Sequence, residues 1–382
     1  MSKIFILNRR YCPGEAWTNR ILAYAKGFAE AGREVVLVYL VSDKQRTSYD
    51  ISVKGVSVVN LWQTNGALTR VSRKLSYIIN IMRFKRLLNK GDIVFTYGYE
   101  TFLMWCLTHY KNEVKVFCEI TEHPYVINTR GNNKRNLKIQ DHLLSRLEGL
   151  FVITEELRNY FIKEGLPAEK IHIINMFVDI DRFLNCKAEN SVKYIAYCGT
   201  VSFYKDGVDT LIKAFSLFAE SYPDYKLYII GGFENASLEE QSYALVDSLG
   251  ISEKVLFTGR VSPDKMPELL CNAVILSLAR PDNIQSQNGF PTKLGEYLAT
   301  GNPVVVSSVG EIPRFIKHFE NGFLCEPGSA NSVAEQFLWI ASHLDDAYSI
   351  GAKGKELCFN EFSSAVQSQK ALKIMTSNNN HL

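Results

Sequence analysis

Lys293 and Glu296 stand three residues apart in the segment NGFPTKLGEYLATGNPVVV, residues 288–306. Pro291 suits the first position of a helix, because the N–H that proline lacks would have no partner there. Gly301 follows the apolar repeat and suits a helix end. We therefore predict a helix over 291–300 that carries Lys293 and Glu296 on one side.

The start of this helix has the chemistry of an anion site. Backbone amides at a helix start favour a phosphate, and we expect those of Gly289 and Phe290 to be free. Glu296, one turn further on, can reach neighbouring hydroxyls. This layout suits a diphosphate attached to a ribose. The alternative is an ordinary amphipathic helix with a solvated Lys/Glu face.

The elements around the segment follow an α/β pattern. Short apolar runs alternate with amphipathic stretches, which is typical of parallel sheets, and a polar stretch over 179–191 interrupts the alternation as a linker. We predict two Rossmann-like domains, over 1–180 and 181–360, and a C-terminal helix over 361–382 that can return to the first domain. Ligands bind beyond the carboxyl ends of such strands, so we expect the site in a cleft that the two sheets face.

The composition fits a globular protein of two domains. Hydrophobic residues make up 46% and charged residues 22% of the 382 residues. A net charge of +3 is too small to indicate nucleic-acid binding. The eight cysteines form no CxxC pair and indicate free thiols in a reducing compartment. With no signal peptide and no apolar run of spanning length, we expect a cytoplasmic protein.

The segment over 288–306 resembles the donor-binding motif of GT-B glycosyltransferases, especially the retaining family 4 enzymes. Other stretches resemble family blocks in the same order, and they are FVITEELRNYFIKEGLPAEKIHIINMFVDIDRF, YCGTVSFYKDGVDTLIKAF, LYIIGG, VLFTGRV and GFLCEPGSANSVAE. The resemblance implies a GT-B fold, with an acceptor-side domain first and a nucleotide-sugar-binding domain second.

The resemblance also implies residue roles. Glu296 corresponds to the glutamate that binds the donor ribose, and Lys205 to the lysine of the loop GTVSFYKDG that binds the diphosphate. A cation and free amides in a loop leaving a strand suit a double negative charge. Gly199 begins this loop. A surface lysine is the alternative for Lys205.

Two positions depart from the family pattern. Asn288 stands where the first glutamate of the usual pair is associated with the transferred sugar, and Thr200 stands where an arginine faces the diphosphate. Arg280, Lys293 and Arg260, in that order, are our candidates for the missing cation.

In the first domain, the resemblance assigns a histidine at a strand end to the sugar-facing wall, which maps to His123. A structural role is the alternative for a single histidine. The first loop, NRRYCPGEAWTN, lies where the family has a glycine-rich turn, and there we assign Gly14, with Glu15 and Asn19.

We predict no essential metal and no cofactor beyond the donor, a UDP- or GDP-linked sugar. The acidic pair in VDID, residues 178–181, lies in the linker and has no His or Glu cluster beside it. Hydrolase, kinase and dehydrogenase motifs are not found. With the roles that the resemblance implies, the catalytic candidates are Lys205, Arg280 and His123, which would stabilise the leaving diphosphate and orient the sugar.

Residues 68–90 form a basic amphipathic pattern. Between Ile51 and Gly91 there is no Asp or Glu, while seven cations accumulate among apolar residues within 68–90. Such a helix suits an anionic membrane surface, so we predict peripheral contact with the inner face of the cell membrane. The resemblance to enzymes that build cell-surface polysaccharides implies a polyprenyl-diphosphate-linked acceptor. The alternative is a core-packed helix with a solvated basic face.

Taken with these observations, the resemblance implies a retaining, hexosyl-type glycosyltransferase of cell-surface polysaccharide synthesis. Two alternatives stay open. One is a nucleotide-sugar epimerase, for which Glu119, Glu122 and Glu15 are the candidate acid/base residues. The other is a non-catalytic GT-B partner protein, which Asn288 and Thr200 make credible.

Overall fold

The computed structural model describes residues 2–8, 16–40, 53–61, 70–109, 113–124, 134–184 and 192–377. The described chain forms two compact units. The first comprises residues 1–175 together with 364–382, and the second comprises residues 176–363.

The first unit is built on a parallel sheet of seven described strands in the order β3-β2-β1-β4-β5-β6-β7. The strands are β1 Ile4–Asn8, β2 Val35–Tyr39, β3 Val56–Asn60, β4 Ile93–Tyr97, β5 Lys115–Ile120, β6 Gly149–Val152 and β7 Ile171–Ile173. Its helices are α1 Ala16–Glu30, α2 Arg70–Lys85, α3 Thr101–Thr108, α4 Lys134–Ser145 and α5 Glu155–Lys163, with a 3-10 turn at Ala168–Lys170. The central strands are continuous apolar runs because flanking helices cover both of their faces.

The second unit contains a parallel sheet of six described strands in the order β10-β9-β8-β11-β12-β13. The strands are β8 Tyr194–Cys198, β9 Lys226–Ile230, β10 Val255–Gly259, β11 Ile275–Leu278, β12 Val304–Ser307 and β13 Phe323–Cys325. Its helices are α6 Phe203–Asp206, α7 Val208–Ser221, α8 Ala236–Ser248, α9 Met266–Cys271, α10 Ile284–Asn288, α11 Thr292–Thr300, α12 Ile312–Phe315, α13 Ala330–Ser342 and α14 Leu344–Leu357. A 3-10 turn at Ile180–Phe183 opens the unit, and a π-helical turn at Cys358–Phe362 closes it.

The chain ends in α15, Ser364–Thr376, which belongs to the first unit and packs on α1. The side chain of Gln367 is buried and accepts a hydrogen bond from the N–H of Asn175 at 3.1 Å. Ser368 lies against Gly27 of α1, where a Cβ would overlap the serine side chain. The absence of a side chain at Gly27 therefore permits the close approach of α1 and α15.

The two parallel α/β sheets confirm the predicted fold class. The π-helical turn Cys358–Phe362 and extended Ser363 separate α14 from α15. The expected free, buried thiols are confirmed at the six described cysteines. Among the described residues, no helix is long and apolar enough to cross a membrane.

Candidate functional site

The loop 199–207 leaves the carboxyl end of β8 and contains the short helix α6. The Oγ of Ser202 caps α6 by accepting a hydrogen bond from the N–H of Lys205 at 3.2 Å. Gly207 has a φ of +64°, and a Cβ there would overlap the carbonyl oxygen of Ala279 at the end of β11. Glycine therefore lets the loop close onto the neighbouring strand end, while the side chain of Lys205 stays exposed.

Lys293 lies beneath this loop and forms a buried ion pair with Asp206, at 2.5 Å between Nζ and Oδ2. The hydroxyl of Tyr197 accepts a hydrogen bond from Nζ of Lys293 at 3.1 Å and lies 2.8 Å from Oδ2 of Asp206 and from the carbonyl oxygen of Thr200. The ammonium lies 4.6 Å from the centroid of the Tyr197 ring. A Cβ at Gly199 would stand 2.5 Å from Nζ of Lys293, so the ammonium lies directly against the start of the loop.

Asp206 is ionised in this cluster. Burial alone would raise its pKa, but the charge and hydrogen bond of Lys293, with the charge of Arg280, more than offset the burial and hold the pKa of Asp206 below its usual value. The carboxylate therefore faces the positive charges of both Lys293 and Arg280.

Arg280 follows β11, is 2% exposed, and ties three backbone segments together. Its Nε donates to the carbonyl of Lys205 at 3.2 Å, and its two Nη atoms donate, at 3.5 Å each, to the carbonyls of Gly289 and Gln285. The guanidinium therefore fixes the loop of Lys205 relative to α10. Arg280 was expected to supply a cation to the site. Its side chain is buried and donates to backbone carbonyls of the surrounding segments.

Glu296 lies in the second turn of α11 and pairs with Arg182, at 2.8 Å between Oε1 and Nη1. Nη2 of Arg182 donates to the carbonyl of Pro263 at 2.9 Å. The side chains of Arg182 and Glu296 are 28% and 23% exposed, so the pair lies near the surface of the second unit.

The turn before α11 differs from the expectation. The helix begins at Thr292, with Pro291 as its capping residue. The N–H of Gly289 is not free, because it donates to the carbonyl of Gln285 at 3.0 Å in α10, a short helix that the sequence analysis missed. Phe290 is buried against Phe315 and Phe362. The expected pair of free amides is therefore wrong at Gly289.

Two other assigned residues lie at the same end of the sheet. The side chain of Asn288 donates to the carbonyl of Ile284 at 2.8 Å, within its own helix. Arg260 follows β10, is exposed, and lies beside Gly232, whose carbonyl accepts from the N–H of Val201 in the loop of Thr200.

In the first unit, His123 follows β5 and is 6% exposed, with its ring 4.3 Å from the ring of Tyr160. Burial lowers the pKa of His123, so its neutral form is favoured at pH 7. Asn19 and Glu122 are exposed, whereas Gly14 and Glu15 lie outside the described residues.

Glu119, a candidate acid/base residue, is fully buried and paired. Arg20 binds both of its oxygens, at 2.9 Å and 2.6 Å, and the hydroxyl of Tyr24 donates to Oε1 at 2.7 Å. Arg20 also donates to the carbonyls of Ile174 and Asn175, at 3.1 Å each. Glu119 in β5 thus binds two side chains of α1, and Arg20 in turn binds the backbone at residues 174 and 175.

The sequence analysis missed Asp206, Tyr197 and Arg182. One feature of the sequence could have identified Asp206, because it adjoins Lys205 in a loop that leaves a strand. Tyr197 resembles a core residue within the apolar run of β8, and Arg182 resembles a solvated linker residue. Lys293, the cation beside Asp206 and Tyr197, and Glu296, the partner of Arg182, lie 87 to 114 residues away from them in sequence, beyond the reach of spacing rules.

The fold defines a class. Two successive α/β units, each with a parallel sheet, match the GT-B fold of glycosyltransferases. The structure is similar to that of Anabaena Alr3699/HepE in complex with UDP, with a TM-score of 0.76 and 16% identity over 98% of this chain and all of the other.

Residues 184–356, within the second unit, match the family described as glycosyl transferases group 1. A similar relative is N-acetyl-alpha-D-glucosaminyl L-malate synthase of Bacillus anthracis, 29% identical over 41% of this chain and 38% of its own length. Another is the amylovoran biosynthesis glycosyltransferase AmsK of Erwinia amylovora, 24% identical over 66% of this chain and 62% of its own length. The chain therefore spans between about two fifths and three fifths of these relatives.

Proposed function

We propose that the protein is a retaining, family 4-like glycosyltransferase that moves a hexosyl-type sugar from a nucleotide-sugar to a glycan or lipid-linked acceptor. The observation that carries the proposal is the network of Lys205, Asp206, Arg280 and Lys293 at the ends of β8 and β11. The charges of Lys293 and Arg280 both act on the carboxylate of Asp206 in this network, and cations gathered at the strand ends suit a diphosphate.

The chemistry of the proposed reaction asks little of the protein beyond charge and position. A nucleotide-sugar already contains its leaving group, so stabilising the departing diphosphate is the main requirement. Lys205 is the exposed cation that would contact the phosphates. Lys293 and Arg280 would act from behind the loop, and Glu296 would bind the ribose.

The donor we propose is UDP- or GDP-linked and needs no metal. The complex of Anabaena Alr3699/HepE with UDP supports testing the uridine nucleotide first. The description of AmsK as an amylovoran biosynthesis enzyme supports cell-surface polysaccharide synthesis as the setting.

For the acceptor, we propose a glycan or a polyprenyl-diphosphate-linked sugar, used at the inner face of the cell membrane. His123 is the proposed contact to the sugar. Peripheral membrane contact through residues 68–90 would bring a lipid-linked acceptor to the enzyme. The outer face of α2 supports this, since Leu75, Ile79 and Met82 are exposed there.

The epimerase alternative is less well supported. An acid/base residue must exchange protons with its substrate, whereas Glu119 is held by Arg20 and Tyr24 and has no exposed surface. A non-catalytic role remains an outcome of the test below.

The test is calorimetric titration of UDP, GDP and ADP into the protein with EDTA present. We expect one nucleotide to bind without metal, and Glu296→Gln to weaken that binding about tenfold, because a hydrogen bond to a charged group is lost. Glu253→Gln, an exposed position in the same unit, is the matched control and should leave binding unchanged. No binding of any of the three nucleotides would refute the donor site.

A further inference from the structure

Arg182 connects three segments of the second unit. It lies in the 3-10 turn Ile180–Phe183, pairs with Glu296 of α11, and donates to the carbonyl of Pro263 in the loop after β10. Its guanidinium lies 5.7 Å from the ring centroid of Phe183, which is 2% exposed. Both terminal nitrogens of Arg182 are therefore hydrogen-bonded, and its guanidinium also lies beside the ring of Phe183.

The ion pair between Arg182 and Glu296 contributes little to the stability of the fold. Pairs that keep about a quarter of their side-chain surface exposed are screened by solvent and contribute little to folding. What the pair does is fix a glutamate rotamer that would otherwise be free to move on the helix surface.

The geometry of the carboxylate favours a second ligand. Arg182 binds Oε1, and a carboxylate offers about four acceptor positions over its two oxygens. A carboxylate fixed in this way can still accept hydrogen bonds from neighbouring hydroxyls, and two adjacent hydroxyls on one ring suit its two oxygens.

We propose that Arg182 is a positioning residue for sugar recognition: it holds Glu296 in the orientation in which the carboxylate accepts from the ribose hydroxyls of the donor. The inference rests on the proposed function, because it takes Glu296 as the ribose ligand. Arg182 acts through Glu296 in this arrangement, because its terminal nitrogens donate to Glu296 and to the carbonyl of Pro263.

The experiment compares two probes, UDP and 2′,3′-dideoxy-UDP, by calorimetric titration into the whole protein; if the wild type prefers GDP or ADP, the corresponding pair is used. The wild type should prefer the ribose form. Arg182→Gln should weaken binding of the ribose form about tenfold and leave the dideoxy form nearly unchanged, so that the preference is lost. Arg182→Lys should restore part of the preference, because it keeps the charge but not the second donor.

Two further variants secure the interpretation. Combining Arg182→Gln with Glu296→Gln should weaken binding no more than Glu296→Gln alone, because one residue acts through the other. Lys193→Gln removes an exposed ion pair with Asp224 in the same unit and should change neither affinity.

The outcomes are distinct. Equal weakening of both probes by Arg182→Gln would overturn the proposal and indicate a general structural role or direct phosphate contact. An unchanged ribose preference would also overturn it. If the wild type binds no nucleotide, the proposed function fails first and the inference fails with it.

Discussion

At the scale of single residues, the site depends on a carboxylate that stays charged although it is buried. Asp206 is 2% exposed, and a carboxylate in such a place is costly unless a cation and hydrogen bonds compensate it. Lys293 and Tyr197 supply both. The same contacts hold the loop that carries Lys205.

Replacing Lys293 tests this arrangement. In Lys293→Met, Asp206 loses its cation, and we expect the free energy of unfolding to fall by about 3–5 kcal/mol, the usual cost of an unpaired buried charge. Urea unfolding of the wild type and the variant at pH 7 measures this. A variant as stable as the wild type would contradict the role given to the pair.

The pH dependence of the same variant provides a second measurement. In the wild type, the lowered pKa of Asp206 contributes stability above the unfolded-state pKa, and that stability is lost as the pH falls through the folded-state pKa. In Lys293→Met, burial should instead raise the pKa of Asp206, so stability should fall as the pH rises above about 4. Adding Asp206→Leu should remove this pH dependence and recover much of the stability.

Residue types, together with the family resemblance, predicted part of the candidate site. Lys205, Lys293 and Arg280 were identified as cations, and the structure brings their segments together at one end of a sheet. Spacing gave no indication that Lys293 faces Asp206 or that Glu296 faces Arg182, because both pairs depend on how distant elements pack. The amide of Gly289 was misjudged because the one-turn helix before it was not recognised.

At the scale of the element, α2 has apolar side chains on two opposite faces. Ile81 and Phe84 are buried against the sheet. The exposed apolar side chains lie on the outer face at helical spacing, and they are Leu75, Ile78, Ile79 and Met82, between 39% and 60% exposed. Arg83 and Lys85 stand in the last turn of the same helix.

The neighbouring helix extends this outer surface. The hydroxyl of Tyr77 in α2 donates to Oε2 of Glu100, the residue that caps α3, at 2.6 Å. On α3, Trp105 is 52% and Phe102 is 37% exposed. Aromatic and apolar side chains flanked by cations are typical of helices that lie in the surface of an anionic bilayer.

We therefore expect the protein to sediment with vesicles that contain phosphatidylglycerol, and to be released by salt. Ile79→Ser with Met82→Ser should weaken vesicle binding by about tenfold or more, since each buried side chain of this size contributes about 1.5–3 kcal/mol. Leu256→Ser with Ile284→Ser, two side chains of similar exposure in the second unit, is the matched control. Equal sedimentation of all three proteins, or of none, would exclude this surface.

Continuous apolar strands were predicted better than the shortest helices. β4 has the bounds expected from its apolar run, because a buried strand between polar turns has little freedom. By contrast, α6, α10 and α12 have four or five residues each, too few for a helical period to show. The strand β13, of three residues, was missed for the same reason.

At the scale of the whole molecule, the first unit is completed by the last helix of the chain. Because α15 packs on α1 across the position of Gly27, a larger residue there should separate the two helices. We expect Gly27→Val to destabilise the first unit by about 1–3 kcal/mol through overpacking. The second unit should keep its stability.

Hydrogen exchange followed by mass spectrometry can measure the two units separately. Glu30→Val, an exposed position of the same helix, introduces the same β-branched residue without the overlap and serves as the control. If Gly27→Val left exchange in α1 and α15 unchanged, the close packing of these helices would not matter for the unit.

The second unit begins and ends at one place. The N–H of Val178 donates to the carbonyl of Phe362 at 2.8 Å, and Val178 also pairs with Ser363. During synthesis, residues 176–363 therefore leave the ribosome, and can fold as a closed piece, before α15 exists. The first unit is completed only when α15 has been made, after the second unit. A nascent chain interrupted anywhere in the second unit therefore exposes the face of α1 that α15 covers.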